Sequence, residues 1–372
     1  SNMAAGSAII AGSSRVPVLK FNVGSGNAVV VNELRFKKLG VVSDTNISSA
    51  YLVDANEQVV AQYSSLTGGV IVFSGANLAL NAGETRMLML AVDLSSSATA
   101  GNTIAFQLES AKLSDGAMVA NTPVVGNSLT VTTVSNPSLA TLTIASSSIG
   151  TTVNAGTQQV LVSQWTTTVA NNAVNLQALK FKVTGSANKT HLQNVKLYVN
   201  GVQQGPTLPA VTSDGVAHFG FGASPVRLGT GAGRLQVYAD VMGSPNFNFT
   251  FQVDNSYDVL AIDTQYGQGV TVTVNGGSGI QVSISAGSIT LSTATDTPTG
   301  NVALGAAGTK LAKFVIYAAG EAVKVEFLDF QLAWTGTTEG LGSMVRNVSL
   351  IDDVGTQVGS TIDTPPSSRT CT

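Results

Sequence analysis

Apolar and polar positions alternate over short runs along most of the chain. The alternation is clear in Val18–Val23, Val29–Phe36 and Leu235–Val241, where Val, Ile, Phe and Tyr are frequent, as strands prefer. Clusters of Gly, Asn, Ser and Pro separate the runs and supply turn chemistry. No segment carries a helical period over three turns. The pattern predicts an almost entirely β chain, with further strands at Val70–Phe73, Met87–Val92, Ile104–Leu108, Leu129–Val131, Val160–Trp165, Leu179–Val183, Val195–Val199, Ala217–Phe221, Phe247–Val253 and Val270–Val274.

One apolar string occurs three times at a nearly constant spacing. The string Val29-x-Val31-x-x-Leu34-x-Phe36 returns 145 residues later, and again after a further 149 residues, as Val174-x-Leu176-x-x-Leu179-x-Phe181 and Val323-x-Val325-x-x-Leu328-x-Phe330. Aromatic anchors precede each copy, and Leu142-Thr143-Ile144 matches Leu291-Ser292-Thr293 ahead of the second and third. A fixed period near 150 residues indicates tandem modules. Seven or more short strands in each period predict immunoglobulin-like β-sandwiches.

The repeat predicts three modules, over residues 1–134, 135–284 and 285–372, joined by short linkers at Val134–Ser138 and Ile284–Ser288 into an elongated rod. The first module lacks an opening strand like Leu142-Thr143-Ile144, and the third lacks its C-terminal strands. Two explanations stay open. Neighbouring chains supply the missing strands, or the sequence is an excerpt of a longer protein. The start Ser1-Asn2-Met3 favours an excerpt because it resembles a protease-cleavage remnant before a start methionine.

The order of these anchors resembles a known class of protein. The segments that carry the likeness are Val29 to Phe36, Tyr51 to Asp54, Leu88 to Leu94 and Ala100 to Leu108. They are similar to the repeated immunoglobulin-like modules of large secreted bacterial cell-surface proteins, such as S-layer-like and adhesin-like chains. The resemblance spans nearly the whole chain and consists mostly of core positions. It therefore implies a fold and an extracellular, cell-surface location rather than a ligand.

The composition agrees with an extracellular setting. Apolar residues make up 44% of the chain, but charged residues only 10%, against about 25% in an ordinary domain. The net charge of −3 provides no basic surface for nucleic acid. No apolar stretch is long enough to predict insertion into a membrane. The single Cys371 cannot form an internal disulfide.

The sequence offers little catalytic chemistry, and we expect a non-enzyme. The two histidines, His191 and His218, lack the paired spacing of a metal site. No Ser lies in a G-x-S-x-G elbow. The glycine-rich segment 229–233 resembles a phosphate loop only superficially, since neither a helix nor Lys-Ser/Thr follows it.

Acidic residues recur near strand ends at corresponding places in the first two repeats. The three pairs are Asp93 and Asp240, Glu109 and Asp254, and Asp115 and Asp263. Carboxylates at loop ends can bind Ca²⁺, so these six are candidate calcium ligands; no other cofactor is predicted. The alternative interpretation is that Asp93 and Asp240 accept backbone N–H bonds at a strand end.

Aromatic side chains are the candidate sites for a carbohydrate ligand. Trp165 aligns with Phe21, and Trp334 shares the parity of Phe330, so both tryptophans are predicted to lie in cores. Tyr257 and Tyr266 lie near a predicted module edge and are the candidate ligand-binding residues.

These patterns favour a non-catalytic structural or adhesive component of a bacterial cell surface that acts as a spacer or coat. The expected partners are other copies of the chain, other surface proteins, and cell-wall or host glycans. One alternative is a self-assembling filament or lattice subunit, completed by β-strand addition between chains. The other alternative is a carbohydrate- or protein-binding adhesin module.

Overall fold

A computed structural model describes residues 3–64, 66–135, 138–319, 323–333 and 341–365. Regular structure in these ranges is almost all β-strand, which confirms the predicted all-β class. By compactness the chain divides into residues 1–321 and 322–372. Within the described ranges, no helix is long and apolar enough to cross a membrane.

The first sandwich packs two sheets around one core. One sheet has the order β1-β10-β8-β3-β6, with β9 paired to β8, and the other has the order β2-β7-β4-β5. Leu34 and Phe36 from the first sheet meet Leu52 and Leu90 from the second, and all four are fully buried. The strands are β1 (Ala8–Ile10), β2 (Val16–Gly24), β3 (Val29–Gly40), β4 (Ile47–Asp54), β5 (Val59–Ser64), β6 (Val70–Leu80), β7 (Thr85–Leu94), β8 (Thr103–Leu113), β9 (Val124–Val125) and β10 (Leu129–Thr132), with a 3-10 turn at Asp44–Asn46.

The second sandwich repeats this plan. Its sheets have the orders β16-β15-β19-β13-β11-β22 and β12-β23-β20-β14-β17, with β18 and β21 also paired to β14. Trp165, predicted to be a core residue, is fully buried beside Phe181. The strands are β11 (Thr141–Ser146), β12 (Thr152–Asn154), β13 (Thr157–Ala170), β14 (Val174–Thr184), β15 (Leu192–Val199), β16 (Val202–Ala210), β17 (Val216–Gly220), β18 (Val226–Leu228), β19 (Gly231–Val241), β20 (Asn248–Gln252), β21 (Val259–Asp263), β22 (Thr271–Asn275) and β23 (Gln281–Ser285), with 3-10 turns at Lys189–His191 and Ser256–Asp258.

The two sandwiches differ at the opening strand. In the second, β11 pairs antiparallel with β13 and parallel with β22. The first-sandwich equivalent of β13 is β2, and among the described residues β2 pairs with β7 alone. The first-sandwich segment that corresponds to β22 folds back on β8 instead, where Val124 and Val125 of β9 pair with Leu108 and Gln107. Among the described residues, no strand lies on the outer side of β2 to pair with this segment.

The third repeat begins as the second does. Strands β24 (Ser288–Thr293) and β25 (Phe314–Ala319) pair from Ser288↔Ala319 to Thr293↔Phe314, which reproduces the β11–β13 register. This register makes Ile289 the equivalent of Leu142, so the sequence match of Leu142 with Leu291 was wrong by two residues. The connection from the opening strand to the aromatic anchor is two residues longer in the third repeat. Because β23 extends to Ser285, only Ala286 and Gly287 remain of the predicted second linker between the strands.

The rest of the third repeat does not reproduce the sandwich. Residues 323–330 carry the third copy of the apolar string, yet they form no strand. In the second sandwich the same string pairs with β17, β18, β20 and β21, and a strand without such partners has no ladder to stabilise it. The described remainder contains α1 (Leu341–Met344) and the hairpin of β26 (Val348–Ile351) with β27 (Gln357–Ile362). Trp334 and Cys371 lie outside the described residues.

Replacing Phe181 with Ala should destabilise the second sandwich by about 3–5 kcal/mol, because the change leaves a cavity in a close-packed core. The Phe181 ring lies 6.2 Å from Trp165, 6.3 Å from Phe219 and 6.0 Å from Phe251. Hydrogen exchange followed by mass spectrometry in urea should show lost protection in residues 140–285, while residues 9–131 keep theirs. Lys182→Ala, on the same strand, is the matched control. Equal loss of protection in both sandwiches would contradict two separate cores.

Candidate functional site

Asp93 and Asp240 each hold a residue at the N-terminal end of a corresponding strand: Arg15, just before β2, and Gln159, the third residue of β13. The Arg15 N–H donates to Asp93 Oδ1 at 2.7 Å, and the Gln159 N–H donates to Asp240 Oδ1 at 2.7 Å. Both donors lie in the left-handed region, with φ of 49° for Arg15 and 48° for Gln159. Non-glycine residues adopt this conformation at a cost. The carboxylates therefore stabilise a strained turn by accepting its N–H group.

The environment of Asp240 shows how firmly this carboxylate is held. Burial opposes its ionisation, but hydrogen bonds from Asn194 and Gln159 outweigh burial and hold the pKa of Asp240 below its usual range. The position corresponding to Asn194 in the first sandwich is Ser49. There the second oxygen of Asp93 instead accepts a 2.6 Å hydrogen bond from the Tyr51 hydroxyl.

The other predicted calcium ligands lie apart from one another. Asp263 is fully buried and accepts hydrogen bonds from the backbone N–H groups of Ala140, Gln265 and Tyr266 and from the Asn172 amide. Glu109 pairs with Arg35 at 2.7 Å. Asp115 accepts from the N–H of its own loop at Ala117, and Asp254 is exposed. Nowhere in the described part of the chain do three potential metal-ligating side chains converge.

Arg15 also connects the two sandwiches. Its side chain is only 8% exposed, and its guanidinium donates to the Tyr257 carbonyl of the second sandwich at 3.3 Å. The other terminal nitrogen donates to the Glu57 carbonyl, in the β4–β5 hairpin of the first sandwich, at 2.8 Å. Burial lowers the pKa of Arg15, and the nearby charges of Glu57 and Asp93 oppose that effect. The planar guanidinium thus bridges carbonyl groups of both sandwiches from a buried position.

An apolar patch on the outer face of the first sandwich lies beneath this bridge. Tyr51 and Val53 of β4 and Met89 and Ala91 of β7 point away from the first core, and all four are buried. Tyr257 covers them, with its ring centroid 5.4 Å from that of Tyr51. Burial raises the pKa of Tyr51, and the charge of Asp93 adds to the effect. The first sandwich is therefore covered on both faces of one sheet.

Of the predicted ligand-binding residues Tyr257 and Tyr266, Tyr257 lies at the junction between the sandwiches. Tyr257 is half-buried in the 3-10 turn Ser256–Asp258, which Asp258 fixes by accepting the Asn255 N–H at 3.0 Å. The other oxygen of Asp258 lies 2.6 Å from Lys180 Nζ of β14. Tyr266 is half-buried, and its N–H donates to Asp263. Tyr257 is thus occupied by packing against the first sandwich.

A close backbone approach completes the contact between the sandwiches. The Ser14 N–H donates to the Gly269 carbonyl at 3.0 Å. A Cβ atom at position 269 would lie 2.0 Å from the Ser14 carbonyl oxygen, so only glycine allows this approach. The Gly269 position therefore fixes how closely the two sandwiches approach.

His218 makes a further polar link between the sandwiches. Its Nε2–H donates to the Asn56 carbonyl at 3.0 Å, in the same β4–β5 hairpin that Arg15 binds. Burial lowers the pKa of His218; the carbonyl of Asn56 and the charge of Asp54 oppose this effect, while the charges of Lys180 and Arg15 add to it. At neutral pH, His218 is therefore an uncharged hydrogen-bond donor.

The junction encloses only a small space. A cavity of about 100 Å³ lies between the sandwiches, lined by Arg15, Tyr51, Asp93, Tyr257, Leu260 and Thr271 among others. Ligand pockets usually measure about 300–1,000 Å³. The space fits a few water molecules rather than a sugar ring, so the arrangement is suited to fixing an orientation.

Sequence reasoning missed this junction, although three signals mark it. Tyr51-Leu52-Val53 and Leu88–Val92 are continuous apolar runs, where the second repeat alternates Lys196-Leu197-Tyr198. Continuous runs are typical of strands buried on both faces. The stretch from Phe251 to Asp263 is three residues longer than that from Phe106 to Asp115, and the extra residues fall at the Tyr257 turn. Arg15 replaces the neutral Gln159 of the second repeat.

Comparison with family models finds no match, and comparison with curated proteins finds none either. Solved structures include distant likenesses. The calcium-binding domain CBD12 of CALX1.1 is 7% identical with a TM-score of 0.17, over 76% of this chain and 97% of that one. The C-terminal domain of the Streptococcus pyogenes antigen I/II-family protein AspA is 13% identical with a TM-score of 0.19, over 74% and 94%. A chain named BspA_C_mut is 11% identical with a TM-score of 0.20, over 70% and 92%. The fold assignment rests on the sheets and cores of this chain.

Arg15→Gln should loosen the junction while it preserves the turn, because Gln occupies the equivalent left-handed position 159. The variant loses the guanidinium bonds to Tyr257 and Glu57, and unpaired carbonyls at a buried site cost about 1–3 kcal/mol. Hydrogen exchange should rise at residues 255–258 and 12–16, with both cores still protected. Arg86→Gln makes the same change at an exposed site and should have no such effect. Unchanged protection in Arg15→Gln would show that the apolar patch alone holds the junction.

The junction should weaken in acid because of His218. Its folded-state pKa lies below the ordinary value of about 6.5. Between those two values the unfolded chain binds a proton that the folded chain does not, so the free energy of unfolding falls as the pH drops below about 6.5. Denaturant titrations between pH 8 and pH 5.5 measure the loss. His218→Gln should lack this component, whereas identical pH profiles for the two proteins would contradict the assignment.

Proposed function

We propose that this chain is a non-catalytic structural protein in which consecutive β-sandwiches are held in one relative orientation. The observation that carries the proposal is the bridge from buried Arg15 to carbonyl groups of both sandwiches. A flexible tether would need no buried guanidinium and no glycine at the closest approach. Both features suit a spacer that holds one module in a fixed position relative to the next.

The composition supports placing this spacer on a bacterial cell surface, as part of a coat or an adhesive structure. Charged residues make up 10% of the chain, and many of the exposed residues are Ser, Thr, Asn and Gln. Such a surface stays hydrated without a strong electric field, as suits closely packed neighbours. Immunolabelling of intact cells of the source organism, compared with permeabilised cells, tests the location. Labelling only after permeabilisation would contradict it.

Assembly between copies is the second candidate function, and one observation favours it. Within the ranges that the structure describes, no strand lies beside the outer edge of β2, whereas β11 pairs with β13 in the second sandwich. An uncovered sheet edge is a template for strand addition.

The spacer function predicts a narrow distance distribution between spin labels on the two sandwiches. Ser48 and Ser213 are exposed positions in the first and second sandwich, and each can be changed to Cys and labelled in a Cys371→Ser background. Pulsed electron–electron double resonance should give one narrow distance peak, and Arg15→Gln should broaden it. A broad distribution in the labelled parent chain would overturn the rigid spacer.

The same labels test the calcium hypothesis. Because Asp93, Asp240 and Asp263 already accept internal hydrogen bonds, we expect the same distribution in CaCl₂ and in EDTA. A peak that narrows only with calcium would instead give these carboxylates a metal-binding role.

A further inference from the structure

The outer edge of β2 presents unused backbone groups near its C-terminal end. The Ser25 N–H donates to the Glu84 carbonyl, and its own carbonyl accepts from Gly83, so Ser25 faces β7. Backbone groups alternate sides along a strand, so those of Asn22 and Gly24 point away from β7. Both residues are exposed, and within the described part of the chain neither forms a backbone hydrogen bond on that side.

The second sandwich shows what covers the equivalent edge. The Ser147 N–H donates to the Gln164 carbonyl, so Gln164, Thr166 and Thr168 face β11. Thr166 and Thr168 correspond to Asn22 and Gly24, counted from the aromatic anchors Trp165 and Phe21. Strand β11 brings Leu142 and Ile144 into the core, where each is 1% exposed.

Strand β24 has the same pattern as β11, but among the described residues its apolar side chains are not packed into a core. Ile289 and Leu291 take the places of Leu142 and Ile144 in the hairpin register, yet they are 52% and 53% exposed. Every residue of β24 is exposed. A two-stranded hairpin without a packed face is marginally stable in water. Moving β24 from β25 to another acceptor strand therefore costs little free energy.

We propose that the β2 edge of one copy accepts strand β24 of a second copy, antiparallel and in the register that β11 takes on β13. Ser292 then lies opposite Asn22, Leu291 opposite Val23, and Thr290 opposite Gly24. Leu291 turns inward on the side of the buried Val23, while Ser292 and Thr290 stay on the solvent face with Asn22 and Gly24. β24 cannot pair with β2 through its outer edge, the edge that faces away from β25. Pairing through that edge would place Leu291 beside Asn22 on the solvent face.

Residues that discourage strand pairing are distributed in a way that fits this acceptor. Edge strand β16 carries Pro206 and Pro209, and prolines block edge-to-edge pairing. The first half of β2 carries Pro17 and Lys20, which have the same effect. The second half, Phe21 to Gly24, contains neither proline nor charge. The unprotected stretch coincides with the stretch that β11 would cover.

Disulfide trapping between copies tests the register. In the β11–β13 register, Ser292 and Asn22 form a hydrogen-bonded pair with Cα atoms about 5.5 Å apart, within the range of a disulfide. Asn22→Cys and Ser292→Cys are made as separate chains in a Cys371→Ser background, with tags of different mass, and mixed in a glutathione redox buffer. The mixed dimer should form several-fold faster than in a mixture of Asn22→Cys with Thr290→Cys, whose diagonal separation is about 7–8 Å.

A blocking variant and a competing peptide separate the outcomes. Asn22→Pro removes the outward N–H without breaking a bond to β7, so it should abolish a concentration-dependent dimer seen by light scattering while both cores keep their exchange protection. Equal trapping of the Ser292 and Thr290 variants, or none, would overturn the proposal. If a peptide of residues 140–147 binds at β2 but no trapping occurs between copies, the β2 edge accepts a strand, and a second copy is not the donor.

This inference rests on the assembly function proposed as the second candidate. Its failure leaves the spacer untouched, because the spin-label distances are measured within one chain. A broad distance distribution together with efficient trapping would contradict the spacer proposal and support the exchange of β24 between copies.

Discussion

The fold of both sandwiches depends on a residue in the left-handed conformation whose N–H group donates a hydrogen bond to a carboxylate. In both sandwiches this residue lies at the N-terminal end of a long strand that carries the aromatic anchor, and the equivalent acid, Asp93 or Asp240, fixes it from the end of the adjacent strand. The acid therefore fixes the backbone just before β2 and, in β13, the site between Thr157 and Val160 where the register with β19 shifts. In the first sandwich this residue is Arg15, and its side chain also reaches the second sandwich. One strained position thus defines both the sheet and the junction.

The use of a charged residue at the junction has a cost and a consequence. Burial of a guanidinium is unfavourable unless its donors are paired, and an apolar side chain of similar size can stabilise a contact equally well. A purely apolar patch, however, permits sliding and rotation. Arg15 binds carbonyls from two different loops, and this geometry is satisfied in one orientation only. The patch formed by Tyr51, Val53, Met89 and Ala91 supplies burial, while Arg15 and His218 select the arrangement.

Local periodicity predicted most of the fold because strand alternation is a property of neighbouring residues. Each strand predicted from alternation in the first two repeats is present, and the internal repeat located both aromatic cores. Strand register was harder to predict than strand position. The match of Leu142 to Leu291 was wrong because a loop is longer by two residues in the third repeat. The apolar string at 323–330 forms no strand, because strand pairing depends on partners elsewhere in the sequence. Of the candidate site, the sequence identified Asp93 and Tyr257 individually. It did not show that they meet, since an outer face becomes buried only when a second module covers it.

The three-residue insertion that carries Tyr257 occurs in the second repeat and not in the first. The face it covers is also unlike its counterpart, where Lys196, Tyr198, Gln236 and Tyr238 stand in place of Tyr51, Val53, Met89 and Ala91. Although the repeats share one core, their outer faces are not interchangeable. An array built from such modules carries its own order of assembly, and exchange of two modules would give folded domains that no longer recognise their neighbours.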